Sequence, residues 1–396
     1  MRDRSARLLA VALATLLAAI AGAIGVELWV RLTWDVRRGT PGFYVPDAVR
    51  RQRLRENYSG WFAGVPVHIN SLGLRDPREY DLVKRPNTFR ILVVGDSVTF
   101  GHGSVYEHTY PYLVEQRLKS WRADVDWQVW NAAVPGYNTA QELAQLLEVG
   151  PRFAPDLVIV GFYDNDVLDN QPAPTPTRRS RAAAALLGFA RSHLWSLEFY
   201  RRIFDTLAWR LRSPDSYRER LAMLARSDAV ARPDASHAPE QQLTLYDRLS
   251  PAELEYTRCR DRECAGASVV ADLEREPGFS VWLAAVRSFQ KLQQEGRYRI
   301  VFFLNIVPRN SPDGDYFYDG NTRALDDYLL RTLGDGTPAV SCHDAFLHVR
   351  PSQMPGAEGH AIGNANQVKA DALFEYLRDR VLPAALPAAL RVRTAG

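Results

Sequence analysis

An α/β architecture, a three-layer α/β/α sandwich around a central and mostly parallel sheet, is the fold class this sequence predicts, and two patterns carry the prediction. Short, continuous apolar runs such as 89–95, 156–161 and 298–307 suit strands buried on both faces of a parallel sheet. Each is followed, after a polar or glycine-containing break, by a segment whose apolar residues recur at helical spacing. That alternation implies βαβ units. With 46% hydrophobic and 24% charged residues over 396 positions, the chain can bury a large core, which sets aside a disordered or fibrous reading.

The elements follow in order. Residues 8–26 form an apolar run without charge, preceded by Arg2, Arg4 and Arg7. Its length approaches the roughly 20 residues of a spanning helix and exceeds the apolar core of a cleaved signal peptide, so 1–30 reads as an uncleaved signal anchor. Ala19, Ala21, Gly22 and Ala23 offer a cleavage site as the alternative. The arginines before the run place the N-terminus in the cytoplasm and the rest of the chain outside the membrane's inner face, periplasmic or on the cell surface. Residues 31–88 carry aromatic and Pro/Gly punctuation without long helical periodicity and read as a lead-in that packs on the main domain.

The main domain is expected over 89–382. Strands are expected at 89–95, 125–134, 156–161, 298–307 and 338–342, and helices at 110–121, 139–149, 281–294, 322–333 and 366–381. Between about 171 and 277 the alternation gives way to Arg-, Ala- and Pro-rich sequence, read as a mostly helical insertion with helices at 180–212 and 216–227. Residues 383–396 read as a loose C-terminal tail.

Charge and cysteine content narrow the function classes. Forty-nine basic against 46 acidic residues leave a net charge of +3, which gives no nucleic-acid footprint. Cys259 and Cys264 flank a short polar segment and are a candidate disulfide in an oxidising compartment, whereas Cys342 suits a buried small apolar position. The short-spaced partners of a zinc site are missing around this pair, so no metal and no cofactor are expected.

In doubly wound α/β folds ligands gather at the carboxyl ends of the strands. Four such positions stand out. Gly95-Asp96-Ser97 puts a hydroxyl at a turn that opens a helix, after the first strand. Val134-Pro135-Gly136-Tyr137-Asn138 follows the second, with a glycine whose N–H a reacting oxygen can approach. Asp164-Asn165-Asp166 follows the third and offers the Asn165 carboxamide. Glu358-Gly359-His360 precedes the last helix, where His360 can act as a general base if the loop folds back over Ser97. Singly, these residues have ordinary uses as helix caps, turns and solvated loops. Together they supply what a serine nucleophile requires: a base, and donors for the oxyanion that forms on attack.

Ser97, Gly136, Asn165 and His360, in that order, resemble the four blocks of the SGNH (GDSL-type) hydrolase superfamily, of a membrane-anchored bacterial type. The resemblance spans about 89–381, interrupted by the insertion, and rests on Gly-Asp-Ser, the run from Asn131 to Asn138, and Asn165-Asp166. It implies a flavodoxin-like sheet and an acyl-ester hydrolase in which Ser97 attacks and His360 shuttles the proton. The Ser97 N–H, the Gly136 N–H and the Asn165 side chain would hold the oxyanion. Gly95 and Asp96 support the motif. The last block departs from the pattern, because the position three before the histidine is Ala357 rather than an acid. Glu358 is then the candidate acid of a triad, with a Ser–His dyad supported by a backbone carbonyl as the alternative. Asp344 is a weaker candidate acid, and His343 and His348 are rival bases. The segment from His68 to Asp76 resembles one that precedes the catalytic domain in tethered relatives; it is assigned packing, with Arg75 in a surface salt bridge and a reach into the cleft as the alternative.

The function expected is extracytoplasmic hydrolysis of O-acyl esters, with O-acetyl as the candidate group, on a glycan or other envelope substrate through an acyl-serine. A lipase or lysophospholipase on a lipid substrate, an O-acyltransferase, and a non-catalytic binding or assembly module are the alternatives.

Overall fold

The structure is a computed structural model. It describes residues 2–36, 39–163, 165–168, 186, 188–190, 193–215, 217–218, 243, 246–247, 250, 267–306, 309–310, 316–317, 320–350, 356–357 and 360–391. A five-stranded, wholly parallel sheet holds the centre: β5 (Thr88–Gly95), β6 (Asp126–Asn131), β7 (Leu157–Phe162), β8 (Ile300–Leu304) and β11 (Ala339–Ser341). Its spatial order is β11-β8-β7-β5-β6, so the chain reverses its direction of travel across the sheet between β5 and β7. That crevice is where doubly wound folds bind ligands.

β5 shows why the sheet forms where it does. All eight of its residues are buried, with Ile91 and Val93 in one core and Leu92 and Val94 in the other. Period-two alternation feeds two apolar layers from one strand. On the first face pack α3 (Tyr110–Trp121) and α11 (Asn364–Tyr376), through Val114, Leu118, Val368 and Leu373. On the second pack α4 (Thr139–Phe153), α8 (Phe279–Gln294) and α9 (Gly320–Leu333), through Leu146, Val286, Phe289 and Leu329. Asn138 and Gln141 start α4 with a reciprocal capping box, which explains its abrupt beginning after the Pro-Gly turn.

Several expectations shift. The second strand ends at Asn131 rather than 134, yet Ala132 and Val134 still donate to Val93 and Gly95 of β5, so the chain stays extended beside it. α4 runs on to Phe153 despite Pro151, because a carbonyl at the preceding turn is lost more cheaply near a helix end. The last helix ends at Tyr376 and loosens into one wide turn over Leu377–Val381. The tail expected to be loose is docked as far as residue 391. Leu382, Ala385, Leu386 and Leu390 are buried in the first core, and Arg122 and Arg299 donate to the Leu390 and Ala385 carbonyls. Apolar residues at helical spacing outweighed the Ala/Pro composition that suggested looseness.

The lead-in builds two antiparallel hairpins, β1 (Tyr44–Asp47) with β2 (Arg51–Leu54), and β3 (Tyr58–Phe62) with β4 (Val65–Ile69). Ala63 and Gly64 turn the second hairpin with φ of 52° and 79°, as a two-residue turn between twisted strands requires. Phe43, Leu54, Tyr58 and Val67 form a third core with Phe100, Ala133, Val134 and Tyr137. The lead-in therefore covers the carboxyl ends of β5 and β6.

α1 (Arg2–Thr33) contains an apolar stretch, Leu9–Thr33, long and apolar enough to cross a membrane; its side chains are exposed except near its end, where Val30 is buried. Of the insertion, α6 (Trp195–Arg212) and α7 (Ala267–Glu274) are described. The helix expected over 216–227 and the Cys259–Cys264 pair lie outside the described residues, apart from Tyr217 and Arg218.

Candidate active site

Ser97 opens α2 (Ser97–Phe100) directly at the end of β5. Asp96 caps that turn, its Oδ1 accepting from the Val98 N–H at 2.9 Å, and Gly101 closes it with φ of 90°. The two glycines at the neighbouring strand ends are steric requirements. A Cβ on Gly95 would stand 2.3 Å from the Thr99 hydroxyl, and one on Gly161 would stand 2.0 Å from it. α2 can lie this low over the sheet only because both side chains are absent, and Thr99 then donates to the Gly161 carbonyl at 3.3 Å.

The structure brings His360 to Ser97. His360 pairs with Ala357 on a ladder of two two-residue strands, β12 (Gly356–Ala357) and β13 (His360–Ala361), just before α11. Its Nε2 lies 2.8 Å from the Ser97 hydroxyl. This is a hydrogen bond across 263 positions of sequence. Gly136 has φ of 81°, in the turn where Tyr137 donates to the Val134 carbonyl, and among the described residues the Gln52 side chain, at 3.6 Å, is what a Cβ there would meet. Asn165 heads α5 (Asn165–Leu168) beyond β7, in a turn fixed by the Asp166 carboxylate accepting from the Tyr163 N–H at 3.0 Å. Glu358 lies outside the described residues, as does Asp164. His343, by contrast, is buried in α10 (His343–Leu347) with its ring 3.8 Å from Asp344, and Asp344 is held below its ordinary range by that histidine. This pairs the second candidate acid with a different imidazole.

Three contributors escaped the sequence reading. Arg75, expected at the surface, is 1% exposed. Its guanidinium donates to the carbonyls of Phe100, Gly101 (2.7 Å) and Ser104, and lies 4.3 Å over the Phe100 ring. The carbonyls that end α2 have no helical partners, and a rigid fork of donors is suited to collect them. Asn131 adds donation to the Thr99 carbonyl at 3.2 Å. The third is His102, whose ring stacks on His360 at 4.2 Å with 14° between planes. The loop held by Arg75 thus supports the imidazole that faces Ser97. Asn366 of α11 closes the circuit, donating to the Ser104 hydroxyl at 3.1 Å. A sequence signal for Arg75 existed in its place within the packing segment; for His102 the signal was only its nearness to Ser97.

Beneath the nucleophile turn lie three buried ionisable groups, Asp96, Glu142 and Lys369. Burial pushes the Asp96 carboxyl up to about 6, against the pull of the Val98 and Thr99 N–H groups and of Lys369. Burial, then repulsion from Asp96, holds Glu142 well above the carboxylate range, and burial lowers Lys369. Neither Glu142 oxygen has a hydrogen-bond partner, so its protonated form is the one the interior tolerates. A cavity of about 760 Å³ opens beside this centre, lined by hairpin residues such as Tyr44, Gln52, Trp61 and Phe62, by His102, and by Arg202 of α6.

A serine hydroxyl hydrogen-bonded to an imidazole at the switch point of a parallel sheet is the machinery of a serine hydrolase. The comparison with family models sharpens the class: residues 93–261 match the GDSL-like lipase/acylhydrolase family, a span that includes Ser97, Gly136 and Asn165 and stops before His360. Over those residues the chain is similar to that family, and a serine ester hydrolase is the class that this match and the site define. No curated protein sequence matches it. Among solved structures it is similar to a catalytic mutant of an acetylxylan esterase from Geobacillus stearothermophilus (14% identity, TM-score 0.36, covering 73% of this chain and 93% of that one). It is also similar to a GDSL-like lipase from Bacteroides thetaiotaomicron (9%, TM-score 0.31, 73% and 87%). A third similar structure is an α/β hydrolase enzyme from the metagenome of Lake Arreo (15%, TM-score 0.32, 72% and 94%).

Proposed function

We propose that the protein is a membrane-anchored, extracytoplasmic esterase that removes O-acyl groups, chiefly O-acetyl, from an envelope glycan, with Ser97 as nucleophile and His360 as base. The observation that carries the catalytic assignment is the 2.8 Å contact between the Ser97 hydroxyl and His360 Nε2. Nε2 takes the hydroxyl proton as Oγ attacks the ester carbonyl, and returns it to the leaving alcohol when the tetrahedral adduct collapses. The Ser97 N–H, the Gly136 N–H and the Asn165 carboxamide are assigned to the oxyanion. Water, activated by the same imidazole, then frees Ser97. Gly136 supports this role because its left-handed turn carries no side chain between the backbone and the cleft. Glu358, two residues before His360, is the proposed orienting acid.

The apolar Leu9–Thr33 stretch and the arginines before it support the anchor and the outward orientation. The glycan reading draws on the cavity, where aromatic rings are interleaved with Gln52, Arg51 and Arg202. Sugars are bound by that mixture of ring faces and hydrogen-bond donors, whereas an acyl chain needs a continuous apolar tunnel. The test is an organophosphonate probe together with an acyl-chain-length series on the full chain. Labelling that disappears in Ser97→Ala, and turnover confined to acetyl esters of saccharides, is the result expected. Hydrolysis that rises with acyl length would instead establish a lipase.

A further inference from the structure

α6 has two apolar sides. Phe199, Ile203 and Thr206 face the end of α1, where Val30 and Trp34 meet them. Tyr200, Phe204 and Leu211, with Leu207 at the edge that also borders the α1 contact, are spaced by three or four residues and form a second stripe left largely open among the described residues. Phe204 is 66% exposed and Leu211 81%. Glu198, Arg201, Asp205 and Arg212 fall on the opposite side at 100° per residue. Such a stripe on a soluble surface would be an aggregation hazard.

The attachment of α6 indicates what covers it. Glu27, in the last turns of the apolar α1 stretch, accepts from the Trp195 and Ser196 N–H groups at 2.9 Å each and so caps α6. Arg31 donates to the His193 carbonyl at 2.6 Å and stands 5.2 Å over the Trp195 ring. Trp29 meets Phe199 edge-on at 5.6 Å, and Trp34 meets Trp195 at 6.1 Å. The helix is thereby fixed where the candidate span ends, amid tryptophans and arginines of the kind that sit at the level of lipid headgroups. Four arginines against two acids within α6 add attraction to an anionic surface.

We propose that α6 is a second membrane contact, lying along the bilayer surface with Tyr200, Phe204, Leu207 and Leu211 in the interface, and that its partner is phospholipid. The proposal rests on α1 being inserted in that bilayer. An amphipathic helix of 18 residues, about 27 Å long, is sufficient for interfacial binding. Because Glu198, Arg201 and Arg202 of the same helix line the 760 Å³ cavity, docking would hold the cavity at headgroup height.

The test uses the full chain in vesicles of equimolar phosphatidylcholine and phosphatidylglycerol whose acyl chains are brominated near the headgroup. Phe204→Trp adds a fluorophore to the stripe and Trp29→Phe removes one from α1. The expected result is a larger lipid-quenched emission in Phe204→Trp than in the wild type, and a smaller one in Trp29→Phe. Phe204→Glu with Leu211→Glu, read by hydrogen exchange of α6 in the same vesicles, should raise exchange there while turnover of a soluble acetyl ester stays unchanged. If the Trp29 signal is lost but the added tryptophan is not quenched by lipid, α6 does not dock and the anchor stands. If neither responds, α1 is not inserted and both readings fail. An added tryptophan shielded from brominated lipid and from aqueous iodide alike would mean that protein covers the stripe, which also overturns the proposal.

Discussion

The two halves of the candidate site are held by different means. On the nucleophile side, the turn from Gly95 to Ser104 is fixed by directed bonds: the Asp96 cap, Thr99 on Gly161, Asn131 on Thr99, and the Arg75 fork on three carbonyls. On the base side, His360 sits on a ladder of two residues per strand and leans on the His102 ring. The first arrangement fixes the Ser97 turn by hydrogen bonds to backbone; for the second, the contacts seen among the described residues are a short ladder, a ring stack and the 2.8 Å bond to Ser97 itself.

Removing the reacting groups should make both halves equal. Ser97→Ala or His360→Ala is expected to lower kcat by ~10⁴-fold or more, with the double variant no worse than either alone. Steady-state hydrolysis of an acetyl ester checks this, and additive losses would mean that the two groups do not act together. Next in size is Arg75→Ala, which removes the guanidinium from three carbonyls, leaving Gly101 its Ser104 N–H and Phe100 a long Asn131 contact, and opens a void, at a cost of about 2–4 kcal/mol. Arg75→Lys should recover little of it, since an ammonium cannot span the fork. Denaturant melts decide the point, and a loss below about 1 kcal/mol would show that the clamp is ornamental.

Asp96 provides a pH test of the nucleophile side. Its folded value of about 6 lies above the ordinary 3.8, so between those values the folded chain holds more protons than the unfolded one. Stability should fall as pH rises through that window, by up to roughly 3 kcal/mol from this group. Asp96→Asn keeps a capping side chain and should flatten that part of the profile. An unchanged slope would place the titration elsewhere. Smallest is His102→Ala on the base side, where loss of a ring stack worth about 1 kcal/mol should reduce kcat/KM several-fold. His102→Phe should restore most of it. A full pH–rate profile separates loosened packing, which lowers the plateau, from a proton-transfer role, which would move the limbs.

What could be read from the sequence follows the same division. β5, β7 and β8 were legible because burial on both faces writes an unbroken apolar run, and Ser97, Gly136 and Asn165 could be nominated because they lie within a few residues of strand ends. The lead-in hairpins were not, since strands of four or five residues are too short for their alternation, clear only in Val65, Val67 and Ile69 of β4, to stand out. Arg75 was misplaced because charge predicts exposure, and only the folded turn shows three carbonyls waiting for a cation. His360 could be nominated but not docked: its strand is two residues long, and what brings it to Ser97 is the packing of α11 on α3. The docked tail was missed because its Ala/Pro composition outweighed, in the sequence, a short series of apolar residues at helical spacing.

The separation of 263 residues between Ser97 and His360 also has a meaning in time. A ribosome adds about 5–20 residues per second, so roughly 13 to 50 s pass between the making of the nucleophile and of its proposed base. During that interval the emerging chain owns a serine turn with no proton acceptor, and a prematurely ended chain would remain in that state. Esterase activity by the proposed pair would therefore first appear only after the helix that follows His360 has been made and packed.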